Sequence, residues 1–385
     1  FLSCPSENSL TVEVNVTNNL DMARKSETIE IATSVLSSLL ANHSADQLIV
    51  KDAKTNKALL SQLIDLDGDK KPDQLIFQSG FDPKEQKHFH IEIKKESEQM
   101  PTTKISTFAR FVPERIDDFA WENDKVAFRT YGPEAQRLTE TGSSGGTLSS
   151  GIDCWLKRVD YPIINKWYKE DLEDHKSYHV DHGEGLDNYH VGASRGTGGT
   201  GIWKNGTLST SKNFQSWKII ANGPIRTTFE LSYGTWDADG LPVQEIKHIS
   251  IDLGENLYKN TLILGNYKEL PNITLGITLH EKAGQVASDE AKGWFRYMEP
   301  IDDSEISTAI VVDPALITEF IDHRVEEADL SNLLVVCKPA VEVTYYAGFA
   351  WKKADQYSLP DGFDAYLANF AARIASPLVI EVGTN

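Results

Sequence analysis

The sequence predicts an all-β protein: a large antiparallel β-sandwich with few short helices. Three observations carry this. Many segments alternate apolar and polar residues, which gives a strand one buried and one solvent face. Asn, Asp, Gly and Pro turns separate those segments at short intervals. Helical periodicity is scarce. With 385 residues and 40% hydrophobic content the chain can bury a large core. One sandwich domain over residues 10–382 is the simplest division, with residues 1–9 set apart as a signal remnant or linker.

Taken in order, "LTVEVNVTN" (10–18) alternates and predicts the first strand. "ETIEIATSVLSSLLANH" (27–43) suits a strand or a helix. "HFH" (88–90) puts His88 and His90 on one strand face, as half a metal site or as a solvated strand. "KVAFRTYG" (125–132), "VQEIKHISID" (243–252) and "AVEVTYYAGFAW" (340–351) are expected to be strands with one face in solvent. "DGFDAYLANFAARIA" (361–375) predicts a helix with Phe363, Leu367, Phe370 and Ile374 on one face, stopped by Pro377.

The net charge of −19 argues against nucleic acid or an anionic membrane as a partner for the whole surface, though a local basic pocket is compatible with it. No apolar run approaches the ~20 residues that span a bilayer. Three cysteines imply no disulfide framework, and Cys154 and Cys337 are expected as small buried hydrophobes. "FLSCPSENS" resembles the end of a bacterial lipoprotein signal. On that reading Cys4 is a lipid anchor, and the protein is periplasmic or at the cell surface.

"DLDGDKKPD" sets Asp65, Asp67, Asp69 and Asp73 on alternate positions around Gly68. Hard oxygen ligands so spaced suit a structural calcium ion, although Ile76 stands where an EF-hand needs Glu. A plain polar hairpin turn is the competing reading.

Three segments could carry chemistry. "RFVPERIDDFAWENDKVAFRTYGPE" (110–134) sets Trp121 and Tyr131 beside Glu122 and Arg129. Aromatic faces cover sugar C–H groups, and arginine forks bind carboxylate or sulfate. Salt-bridged loops would look the same. "GIDCWLKRVDYPIINKWYKED" (151–171) is locally basic, with Lys157 and Arg158 among aromatics. An anionic sugar would need such a segment. "YHVDHGEGLDNYHVGASRGTGGTGIW" (178–203) gathers His179, His182 and His190 with Tyr189 and Arg195. Histidines serve as acids and bases near neutral pH. They also bind metals, but H-x-x-H without a third ligand is a weak signal.

The motifs "RFVPERIDDFAWENDKVAFRTYGP", "SGIDCWLKRVDYPIINKWY", "YHVDHGEGLDNYHVGASRGTGG" and "YYAGFAWKKAD…FAARIASPLVIEV" resemble a family from Bacteroidota polysaccharide-utilisation loci, formerly of unknown function. The resemblance covers most of the chain. It implies a galactose-mutarotase-like supersandwich. One member group is an ulvan oligosaccharide dehydratase, which removes water from a non-reducing-end uronic acid to leave a 4,5-unsaturated residue.

Such a dehydration needs a base for the C5 proton, a partner for the carboxylate, and an acid for the departing 4-hydroxyl. The chemistry assigns His182 or His179 as base, and Tyr189 or His190 as acid. Arg195, with Lys157 or Arg158, would neutralise the carboxylate. Trp121 and Trp203 are the expected ring platforms. No cofactor is required, though a divalent ion could replace the arginine. The expected ligand is an anionic uronate oligosaccharide, with or without sulfate. The alternatives are a β-eliminating polysaccharide lyase and a non-catalytic glycan-binding lipoprotein.

Overall fold

The computed structural model describes residues 10–383, so Cys4 and its predicted anchor lie outside the described residues. The fold is all-β, built of antiparallel sheets with four α-helices among the described residues. Where the sequence suggested one domain over 10–382, the described chain forms two compact units. One holds the residues up to Lys104, Gly223–Ile225 and the chain from Ser376 on. The other holds Ile105–Asn222 and Arg226–Ala375.

In the first unit Thr11–Thr17 pairs with Val379–Val382 on one side and Gln86–Ile93 on the other. Leu48–Asp52 and Ala58–Leu59 complete that sheet. A second sheet joins Arg24–Ala32, Gln74–Phe81 and Ser61–Ile64. Val12, Val14 and Val16 alternate inward and meet Ile29, Ile31, Phe77 and Phe89 in one apolar cluster. The ambiguous 27–43 segment divides. Its alternating half is the strand Arg24–Ala32, and Thr33–Leu36 and Ser37–Leu40 are short helical turns.

The second unit has an eight-stranded sheet and two five-stranded sheets around a large core. Glu245–Asp252 alternates buried and half-buried along its length, as its pattern predicts. Ala127–Tyr131 does not: all five residues are buried. Its neighbours Asp118–Glu122 and Asp153–Lys157 are buried throughout as well. These three strands lie side by side in the centre of a sheet covered on both faces. Polar residues there are therefore interior groups. The helix Asp361–Ala375 has the predicted bounds and buries Phe363, Leu367, Phe370 and Ala371. Ile374, expected on that face, is exposed.

Candidate functional site

A cavity of about 680 Å³ opens in the second unit, lined in part by Arg129, Tyr131, His179, Asp187, Tyr189 and His190. Its wall is built from strand register. Arg129 sits directly across from Asp153, and Tyr131 across from Asp118. The next segment, ending in Gly185–Leu186, brings Asp187 alongside. The Arg129 guanidinium is buried among Tyr131, Trp155 and Tyr178, at 5.3, 5.1 and 5.7 Å from their ring centres. Its Nη2 donates to Asp153 Oδ2 at 2.6 Å and to Asp187 Oδ2 at 2.7 Å. Burial pushes the Asp153 carboxyl up to about 7, helped by the Asp187 charge and opposed by Arg129. Burial likewise raises Asp187 against the pull of Arg129.

Hydrogen bonds fix the histidine states. A carbonyl oxygen only accepts, so His179 Nδ1, at 2.7 Å from the Asp187 carbonyl, must carry a proton. In the neutral ring Nε2 then holds the lone pair. The His190 Nε2 nitrogen meets Asp329 Oδ1 at 3.1 Å. Behind them His280 lies between two acceptors, Glu299 Oε1 and the His190 carbonyl, each at 2.6 Å. Burial would lower the His280 pKa, but these partners, Glu299 foremost, hold it above the ordinary 6.5. Tyr189 packs edge-on against His280 with ring centres 4.7 Å apart, and its oxygen accepts from Thr197 Oγ1 at 3.4 Å. Burial pushes the phenol well up, so it stays an O–H donor. Gly192 has φ +49°, and a Cβ there would lie 2.0 Å from Asp329 Oδ2. That glycine lets the loop approach the carboxylate that anchors it.

Several expected site residues stand elsewhere. Arg195 is buried and spends its guanidinium on Ser150 Oγ, the Thr200 carbonyl and the Ala193 carbonyl, so it is not free for a substrate carboxylate. Burial lowers its pKa to about 10. Trp121 is 0% exposed against Phe128, Phe229 and Tyr258, which rules out a ring platform. Glu122 and Lys157 form a fully buried pair at 2.9 Å. Glu122 also accepts from the backbone of Ile163 and Ile164 at 2.9 Å, capping the helix Ile164–Leu172. Arg158 forks onto Asp181 at 2.8 and 2.7 Å. Trp203 packs against His323 and is not part of the cavity lining. His182 donates from Nε2 to the Ser177 carbonyl at 3.1 Å, also outside that lining.

Reasoning from sequence missed Asp153, Asp187 and His280. Asp187 lay inside the histidine-rich stretch, but its bond to Arg129 spans 58 residues. No local spacing signals such a contact. In the first unit, carboxylate oxygens of Asp65, Asp67 and Asp73 lie within 4.8 Å of one another, without Asp69. They already accept main-chain N–H groups, Gly68 and Lys70 onto Asp65 and Leu66 onto Asp73. These bonds close the hairpin between Ser61–Ile64 and Gln74–Phe81. His88 Nδ1 meets Asn15 Oδ1 across the first unit's sheet. Among the described residues no helix is long and apolar enough to cross a membrane.

The family described as "Domain of unknown function (DUF4861)" matches residues 16–380. The chain belongs to the DUF4861 family. This DUF4861 protein is 40% identical over 384 residues to "Uncharacterized protein P7" of Formosa agariphila, covering 99% of this chain and 96% of the relative. Two solved Enterococcus faecalis structures are similar in fold. A glycosyl hydrolase family 38 protein gives a TM-score of 0.52 at 10% identity, covering 97% of this chain and 47% of that one. An alpha-mannosidase from strain V583 gives 0.51 at 9% identity, covering 99% and 46%. The DUF4861 chain spans about half the length of those solved chains.

Proposed function

We propose that this DUF4861 protein is a carbohydrate-active dehydratase, removing water across C4 and C5 of a uronic acid at the non-reducing end of an oligosaccharide. The observation that carries the reading is one cavity holding a histidine with its lone pair on Nε2, a neutral tyrosine and an arginine. The cavity volume of about 680 Å³ falls in the range of small-molecule sites. The proteins of similar fold are named as a glycosyl hydrolase and a mannosidase, which supports a sugar ligand.

His179 Nε2 takes the C5 proton, and the C5–H electron pair becomes the C4=C5 bond as the C4–O4 bond breaks. Tyr189 gives its O–H proton, so O4 leaves as water. Tyr131 is less suited to that role, because its O–H already donates to Asp153 at 3.3 Å. Arg129, committed to Asp153, Asp187 and Tyr178 in the cavity wall, offsets the charge that builds on the carboxylate through its field. Asp187 orients His179 through its carbonyl.

The test is incubation with uronate-ended ulvan oligosaccharides, following unsaturated-uronate absorbance together with product mass. The expected product is lighter by one water at unchanged chain length. Shortened chains would make the protein a polysaccharide lyase, and unchanged ligand a glycan binder.

A further inference from the structure

The buried charges behind the cavity do not balance. Asp118, Asp153 and Asp187 are all buried. Arg129 reaches Asp153 through Nε and Nη2 and Asp187 through Nη2, and its Nη1 lies 3.6 Å from Asp118 Oδ2. The other charged and titratable groups facing them come from every neighbouring element. Arg115 Nη1 is 3.6 Å from Asp118 Oδ1, and Tyr168 donates to Asp118 Oδ2 at 2.9 Å. Tyr131 donates to Asp153, Tyr178 accepts from Arg129, and His179 Nδ1 lies 3.6 Å from Asp187 Oδ2.

Three ionised carboxylates would thus face two guanidiniums, and only Arg129 is hydrogen-bonded to any of them. Asp153 Oδ1 and Asp118 Oδ1 have no hydrogen-bond donor. An unpaired buried charge is costly, and a carboxyl avoids the cost by keeping its proton. Asp118 has a guanidinium 3.6 Å from each of its oxygens, whereas Asp153 and Asp187 crowd onto the single nitrogen Nη2 of Arg129, so the proton is best held between those two.

We propose that Asp153 and Asp187 hold one proton between them in the ligand-free protein, and that this proton keeps the cavity wall around Arg129 from repelling an acidic sugar. The second half rests on the function proposed above; the first does not. With one proton present, two carboxylates balance two guanidiniums. The incoming carboxylate then meets a wall that is neutral overall. Once the proton is lost, the same carboxylate meets a wall with a net negative charge. The raised Asp153 carboxyl, pushed to about 7, agrees with this geometry.

The two halves are tested separately. Infrared spectra of the ligand-free protein in heavy water should show a protonated-carboxyl band near neutral pH that titrates away as pH rises. Asp153→Asn should abolish it, and Asp187→Asn serves if the first variant does not fold. A wild-type spectrum with no such band from mildly acidic pH upward overturns the proposal. Binding of a uronate-ended ulvan oligosaccharide is then measured against pH. Wild-type affinity should fall by up to about tenfold per pH unit above the pair's pKa, while Asp153→Asn, which cannot ionise, should bind with little pH dependence. Equal pH slopes in both proteins refute the coupling to Arg129. If no form binds the oligosaccharide, the functional reading fails, and the infrared band still decides the proton.

Discussion

His179 reaches the cavity with Nδ1 committed to the Asp187 carbonyl, so removing its ring removes the proposed base and little packing. His179→Ala should cut turnover by about 10²–10⁴-fold with the melting temperature nearly unchanged. Steady-state rates on the uronate oligosaccharide, beside a thermal melt, check both. Arg195 carries the opposite expectation. Arg195→Ala should leave KM almost unaffected and cost about 1–3 kcal/mol of stability, because buried Ser150, Thr200 and Ala193 oxygens lose their donors. Urea unfolding of that variant measures the cost. His280 supplies a pH signature. Its folded pKa is raised, so its stabilisation is complete below the ordinary 6.5 and is lost as pH climbs through the higher folded value. His280→Gln should therefore flatten the decline in stability on the alkaline side, as unfolding titrations across pH would record.

The strand Asp118–Glu122 shows why the candidate site was only partly legible. Aromatics beside charges looked like a sugar surface, and that composition is real. Yet the strand is central and covered on both faces, so Trp121 and Glu122 became core and helix cap. Local sequence reports which groups are present. The depth at which they lie is decided by neighbouring strands far away in the chain. Of the histidine-rich loop, His179, Tyr189 and His190 line one cavity and are close in sequence, whereas Asp153 reaches Arg129 only through sheet register. The helix cap makes its own prediction. Glu122→Ala should destabilise by about 3–5 kcal/mol, since it strands the buried Lys157 ammonium and uncaps Ile164–Leu172. A double variant that also replaces Lys157 by Met should recover part of that loss in urea titrations, because no charge is then left unpaired.

Across the whole molecule, the all-β class and the terminal helix followed from periodicity, which is a local property. The two compact units did not, because one of them is assembled from segments far apart in sequence. Removing the chain from Ser376 onward should strip Val379–Val382 from its neighbour. Amide exchange should then rise along Thr11–Thr17 while Glu245–Asp252 stays protected. That pairing also bears on how the protein is made. A ribosome delivers Thr11–Thr17 long before Val379–Val382. Throughout the interval between them one edge of the first sheet stands open, with unpaired backbone groups that any passing strand can join. Full closure of this unit therefore waits for Val379–Val382, and the nascent chain is most exposed to aggregation in the interval before that strand arrives.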